Sequence, residues 1–128
     1  VRVDTVEEHH MHTERFTLPE ETAKAVNAAR TSCAAVTAIG TTVARTLESC
    51  INPDGTVRAD SGETGIFIYP PHVFHGFDHL VTNFHLPKST LLMLVGAFMG
   101  MDLMWTAYRE AIRDQYRFFS FGDAMLIL

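Results

Sequence analysis

Apolar and polar residues alternate along Val1–Val6, the period of a half-buried strand. The period then changes. Thr17-Leu18-Pro19 opens a helical stretch that runs to about Ser32, with Thr17 or Leu18 at the cap and Pro19 at the first helical position. Glu20 and Glu21 fall in its first turn, where the helix dipole favours acids. "AAVTAIG" predicts a short apolar strand, Ala35–Ile39, closed by Gly40, and "TTVARTLESC" a second helix. Asn52–Gly65 is polar and glycine-containing and reads as a loop. "GIFIYPP" reads as a short buried strand stopped by two prolines, and "HLVTNF" as another strand. Ser89 caps a helix over Ser89–Gly100, Asp102 caps the next over Leu103–Tyr116, and Ala124–Leu128 is a strand. Strands alternating with helices predict an α/β domain with a largely parallel sheet and flanking helices.

Composition narrows this picture. With 128 residues, 47% apolar and 20% charged, the chain suits one globular domain. A net charge of −5 with two lysines argues against a broad nucleic-acid-binding face, though a local basic pocket is compatible with it. Cys33 and Cys50 lack CxxC spacing and read as reduced thiols of a cytoplasmic protein. The apolar run Leu91–Met101 is too short to span a bilayer. The chain starts without Met, in a strand-like alternation, and stops within an apolar run, which points to a piece of a longer protein.

Four stretches carry candidate chemistry. In "AIGTTVAR" a strand gives way at Gly40 to a helix that begins Thr41-Thr42. Free backbone N–H groups and the positive helix end favour an anion there. Arg45, one turn on, can fork a carboxylate or phosphate. A glycine turn with a threonine cap explains the same residues structurally. "EEHHMHTE" invites a metal reading, but it brings no HExxH or CxxC. His9 or His12 suits proton transfer or hydrogen bonding. "TNFHLPKST" puts Asn83, His85 and Ser89 between a strand and a helix start, where they could converge with Thr41 and Thr42. A cap accounts for Ser89 and Thr90 but not for Asn83 and His85. In "YRFFSFGDAML" the aromatics suit a core. Arg117, Gly122 and Asp123 are the polar exceptions, and Asp123 is either a turn former or a site acid.

Together and in this order, "EHHMHTE", "IGTTVARTLES", "IFIYP", "VTNFHLPKSTLLMLVGAF" and "YRFFSFGDAML" closely resemble the C-terminal part of the S-adenosylmethionine:tRNA ribosyltransferase-isomerases of queuosine biosynthesis. The resemblance covers essentially the whole chain. It departs at Val43-Ala44, where the family usually has Ser-Val, and at Pro71, where it usually has Gly. His10 and Lys88 stand where the family requires neither.

The resemblance implies a fragment of a larger two-domain protein, an α/β domain with a β-barrel insertion. Residues 1–128 would form the C-terminal part of the α/β domain, with the barrel and the N-terminal part upstream. It implies transfer and isomerisation of the ribosyl moiety of S-adenosylmethionine onto 7-aminomethyl-7-deazaguanine in tRNA, giving epoxyqueuosine, adenine and methionine. S-adenosylmethionine is then a co-substrate. No metal and no membrane are implied, the protein would be a cytoplasmic monomer, and the fragment alone would be inactive. The catalytic candidates carried over are His9, His12, Glu14, His85 and Asp123. The substrate-binding candidates are Gly40, Thr41, Thr42, Arg45, Asn83, Ser89, Thr90 and Arg117. The sulfonium acidifies the neighbouring C5′ hydrogens, so one candidate base suffices for their removal. The methionine carboxylate suits the Thr41–Thr42–Arg45 helix start. Phosphate contacts to tRNA would come from upstream or from Arg15, Arg45, Arg58, Arg113 and Arg117. Two other readings compete: a non-catalytic module that binds S-adenosylmethionine or a small anion, and a His-based metal hydrolase.

Overall fold

The computed structural model describes residues 13–85, 90–117 and 123–128. The strand expected over Val1–Val6, together with His9, His12, Ser89 and Gly122, lies outside the described residues. Strand β1 (Glu14–Leu18) leads into helix α1 (Glu20–Thr31), strand β2 (Thr37–Ile39) and helix α2 (Thr41–Ser49). Strands β3 (Asp60–Thr64) and β4 (His79–Asn83) follow, then helices α3 (Thr90–Met99) and α4 (Met101–Arg113) and strand β5 (Ala124–Ile127).

Local chemistry explains most of these elements. Pro19 occupies the cap of α1 rather than its first turn. Its ψ of 153° is extended, while its carbonyl accepts the Ala23 N–H at 3.0 Å. Gly40 and Gly100 cap α2 and α4 at φ of 98° and 90°, a region that glycine enters without strain. The second of these moves the cap expected at Asp102 to Gly100, and puts Asp102 in the first turn.

Two expectations fail for the same reason. Asp60–Thr64 lies in the expected loop yet is a strand, because β1 supplies its ladder from Glu14↔Thr64 to Leu18↔Asp60. "GIFIYPP" was expected to be a strand, but residues 65–71 form none. Ile68 is 2% exposed, but burial of a side chain does not supply a backbone partner. Pro70 and Pro71 have no N–H to give a ladder.

The class is α/β, with mixed pairing. The larger described sheet has the order β2-β4-β5. β2 and β4 run parallel, β4 and β5 antiparallel, and β1 and β3 pair antiparallel in a second sheet. Inward positions Ala38, Leu80, Thr82, Met125 and Ile127 are buried, in register with the pleat. Helix residues Ala44, Leu47, Leu92, Leu94, Val95, Met104 and Tyr108 join them in one core. The opposite face is open. Ile39, Val81 and Leu126 are cross-strand neighbours there, with Ile39 69% and Leu126 61% exposed. Among the described residues no single helix is long and apolar enough to cross a membrane; α3 and α4 meet at a bend of 116°.

Candidate functional site

The carboxyl ends of parallel strands, where helices begin, are where α/β sheets open a crevice. β2 and β4 end side by side, and the Gly40 N–H donates to Val81 O at 2.8 Å, which ties the start of α2 to β4. A cavity of about 380 Å³ opens there, walled by Gly40, Thr41, Thr42, Thr82, Asn83 and His85, with Ile39, Val43, Val81 and Ala124 completing it. The α2 first turn carries no acid of its own, and Gly40, Thr41 and Thr42 at the helix start line the cavity. Of the expected convergence, Thr41, Thr42, Asn83 and His85 share this cavity, while Ser89 lies outside the described residues. Thr90, by contrast, is not part of that wall; it starts α3.

His85 is the most constrained of these groups. Its Nε2 lies 2.7 Å from Thr82 Oγ1, and its backbone N–H donates to the Tyr108 hydroxyl at 2.7 Å. Burial lowers the pKa of His85 below the ordinary histidine value, so the ring is neutral at neutral pH. Burial also raises the Tyr108 pKa, against the opposing pull of the bond from His85, and keeps the phenol protonated.

Arg45 and Glu14 take a different place from the one their sequence positions suggest. Arg45 is 1% exposed. Its guanidinium ion-pairs with Glu14, and donates to Ile66 O at 3.2 Å and Thr64 O at 3.5 Å. The other Glu14 oxygen accepts the Thr42 hydroxyl at 2.9 Å. Arg45 thus ties α2 to β1 and to the end of β3, and Glu14 reaches the cavity rim through Thr42. Buried charges persist when they are paired and hydrogen-bonded in this way.

Asp123 and Arg117 form a second unit. Asp123 accepts from the Arg117 backbone N–H and from its Nε at 3.1 Å. The Arg117 side-chain bond, then the backbone one, holds the Asp123 carboxyl below the usual aspartate range. Neither residue lines the cavity.

Three residues outside the candidate site set matter here, of which Glu48 lies within the family-like stretch "IGTTVARTLES". Thr82 orients His85, Tyr108 holds its backbone, and Glu48 pins a loop. The Glu48 side chain is 3% exposed and accepts the Gly76 N–H at 2.6 Å, the His75 N–H at 3.1 Å and a contact with His72 Nε2 at 3.0 Å. The sequence held a signal for Thr82: a hydroxyl at an inward position of a strand whose other inward residue is Leu80. No such signal marked Tyr108, which reads as an ordinary core aromatic. Among the described residues no group of three His, Cys, Asp or Glu is arranged to hold a metal ion.

Comparison with known proteins adds to this geometry. Residues 1–127 match the family model described as queuosine biosynthesis protein. The S-adenosylmethionine:tRNA ribosyltransferase-isomerase of Geobacter metallireducens is 57% identical over 127 residues, which are 99% of this chain and 37% of that protein. The protein of that name from Heliobacterium modesticaldum is 57% identical over 129 residues, 100% of this chain and 38% of that one. A solved structure, S-adenosylmethionine tRNA ribosyltransferase from Thermotoga maritima, superposes with a TM-score of 0.83 at 51% identity, over 89% of this chain and 40% of that chain. The chain thus spans well under half the length of these relatives.

Proposed function

The chain belongs to the queuosine biosynthesis protein family, and we propose that, within a full-length protein, it helps transfer and isomerise the ribosyl moiety of S-adenosylmethionine onto 7-aminomethyl-7-deazaguanine in tRNA. Adenine and methionine are the leaving products and epoxyqueuosine the result. The observation that carries this reading is the cavity at the carboxyl ends of β2 and β4. It joins a helix start, whose Thr42 hydroxyl is held by the Arg45-paired Glu14, to an amide and a neutral imidazole. That combination suits a ligand with an anionic group at one end and hydrogen-bonding ring atoms at the other.

Within this reading, the Thr41 and Thr42 end of α2 receives the methionine carboxylate. Asn83 and His85 hydrogen-bond the ribose or the adenine. Arg45 acts by fixing Glu14, and so Thr42, rather than by touching ligand. His9, His12 and Glu14 are the candidates for the base that removes the C5′ proton; Asp123, Arg117 and Thr90 do not line the cavity and, with Ser89, are candidates for substrate contacts beyond it. Arg15, Arg45, Arg58, Arg113 and Arg117 each sit in an ion pair with a neighbouring acid. Phosphate contacts to tRNA are therefore assigned chiefly to the remainder of the polypeptide. The same remainder is the occupant of the face at Ile39, Val81 and Leu126, since the relatives extend well beyond the span matched here and exposed Ile39 and Leu126 on either side of half-buried Val81 disfavour solvent. Residues 1–128 would then be the C-terminal part of an α/β domain.

The test is adenine release from S-adenosylmethionine with tRNA carrying the 7-aminomethyl-7-deazaguanine base. The chain would be assayed alone and after restoration to full length. Release only from the full-length protein supports the reading. Release from neither, with S-adenosylmethionine still bound, leaves a binding module.

A further inference from the structure

Thr82 points inward from β4 and is 4% exposed. A threonine hydroxyl has one proton to give. In a helix that proton goes to the carbonyl one turn back, as Thr46 shows by donating to Thr42 O at 2.8 Å. A strand offers no such carbonyl. Among the described residues the Thr82 hydroxyl meets His85 Nε2, at 2.7 Å. Were Nε2–H the donor, the buried hydroxyl proton would have no acceptor among the described residues, and an unmade buried donor costs more than spare acceptor capacity. The hydroxyl therefore gives its proton to the ring, and Nε2 accepts. A neutral imidazole that accepts at Nε2 carries its hydrogen on Nδ1.

We propose that Thr82 is a positioning residue that fixes His85 as the Nδ1–H tautomer, so that His85 offers the cavity a hydrogen-bond donor rather than a base. The Tyr108 hydroxyl holds the His85 backbone from below, so the ring is set at two points. His85 lines the cavity, and its Nδ1 has no partner among the described residues. The ligand atom it would meet is an acceptor: a ring nitrogen lone pair or a carboxylate oxygen. Only the identity of that ligand rests on the function proposed above; the tautomer does not.

The test is a long-range proton–nitrogen NMR spectrum of the chain labelled with ¹⁵N-histidine, recorded above neutral pH. We expect a protonated, pyrrole-type Nδ1 and an unprotonated Nε2 for His85. The Thr82→Val variant should show a mixture of tautomers, and Thr82→Ser should restore the single form. Nε2–H in the unaltered chain, or an unchanged single tautomer in Thr82→Val, overturns the proposal. Should Thr82→Val fail to fold, the unaltered chain and Thr82→Ser still decide the question. In the full-length protein, adenine release should fall about tenfold or more in Thr82→Val and recover in Thr82→Ser. Absence of adenine release from the unaltered full-length protein would remove the function proposal and leave the spectrum to judge this one.

Discussion

Arg45 is the residue whose setting most changes its meaning. A cation one turn into a helix looks free to take an anion. Here it is enclosed and bonded to Glu14 and two carbonyls. Arg45→Ala should destabilise the fold by about 2–4 kcal/mol, read from urea denaturation, because Glu14 and the carbonyls lose their donor together. A change within about 0.5 kcal/mol would contradict that placement. His85 gives a second prediction at this scale. Its folded pKa lies below the ordinary histidine value of 6.5 because burial disfavours the cation. As pH falls through about 6.5 the unfolded chain takes up a proton that the folded chain refuses, so stability drops. Above that pH the contribution is fully present. His85→Asn should therefore flatten the acid side of the stability–pH curve, and an unchanged slope would count against the burial. In the full-length protein, His85→Ala and Asn83→Ala should each lower adenine release by about 100-fold while leaving far-UV circular dichroism intact; unchanged release would remove both from the site. Of these residues, His85, Asn83 and Thr41 were legible as site candidates because polar groups crowded strand ends. The occupancy of Arg45 was not legible, because its partner lies 31 residues away.

At the scale of elements, Glu48 on α2 holds the segment that precedes β4. Its carboxylate takes two backbone donors and sits against His72, and the next aromatic residues, Phe74 and Phe77, pack on Phe98 with ring centroids 5.1 Å apart in each pair. The segment is thereby clamped between α2 and α3. Glu48→Ala should cost about 1–3 kcal/mol in thermal or urea unfolding, since it leaves the part-buried Gly76 N–H and the exposed His75 N–H without their acceptor. Gly76 is the close-approach point. A Cβ there would stand 2.8 Å from both Glu48 Oε2 and Leu47 Cβ, so Gly76→Ala should cost about 1–3 kcal/mol by overpacking. The helices were readable because caps and a 3.6-residue period are local signals, and α1, α2 and α3 fall within a few residues of expectation. β3 was unreadable for the opposite reason. Its sequence, Asp60-Ser61-Gly62-Glu63-Thr64, has little strand propensity, and pairing with β1 overrides it.

For the whole molecule, the sheet is covered on one face and open on the other. Ile39, Val81 and Leu126 cross the open face in register. Leu126→Asp should leave the fold of the 128-residue chain unchanged, because that side chain is already exposed. In the full-length protein it should cost about 1.5–3 kcal/mol, the value of burying a leucine, read as a lower Tm. An equal effect on both would mean that nothing covers this face.

The sequence by itself determined the α/β class, the positions of α1, α2, β2, β4 and α3, the junctions at which a cavity could form, and membership of a family through its motifs. These follow from local period, capping and residue identity, which need no knowledge of what lies across the chain. Only the tertiary structure decided that Asp60–Thr64 is a strand, that residues 65–71 are not, that Arg45 is enclosed, and that Thr82 holds the His85 ring. Each of those depends on which group a side chain or backbone N–H meets once the chain has folded. Partner identity is a property of packing, and no local pattern encodes it.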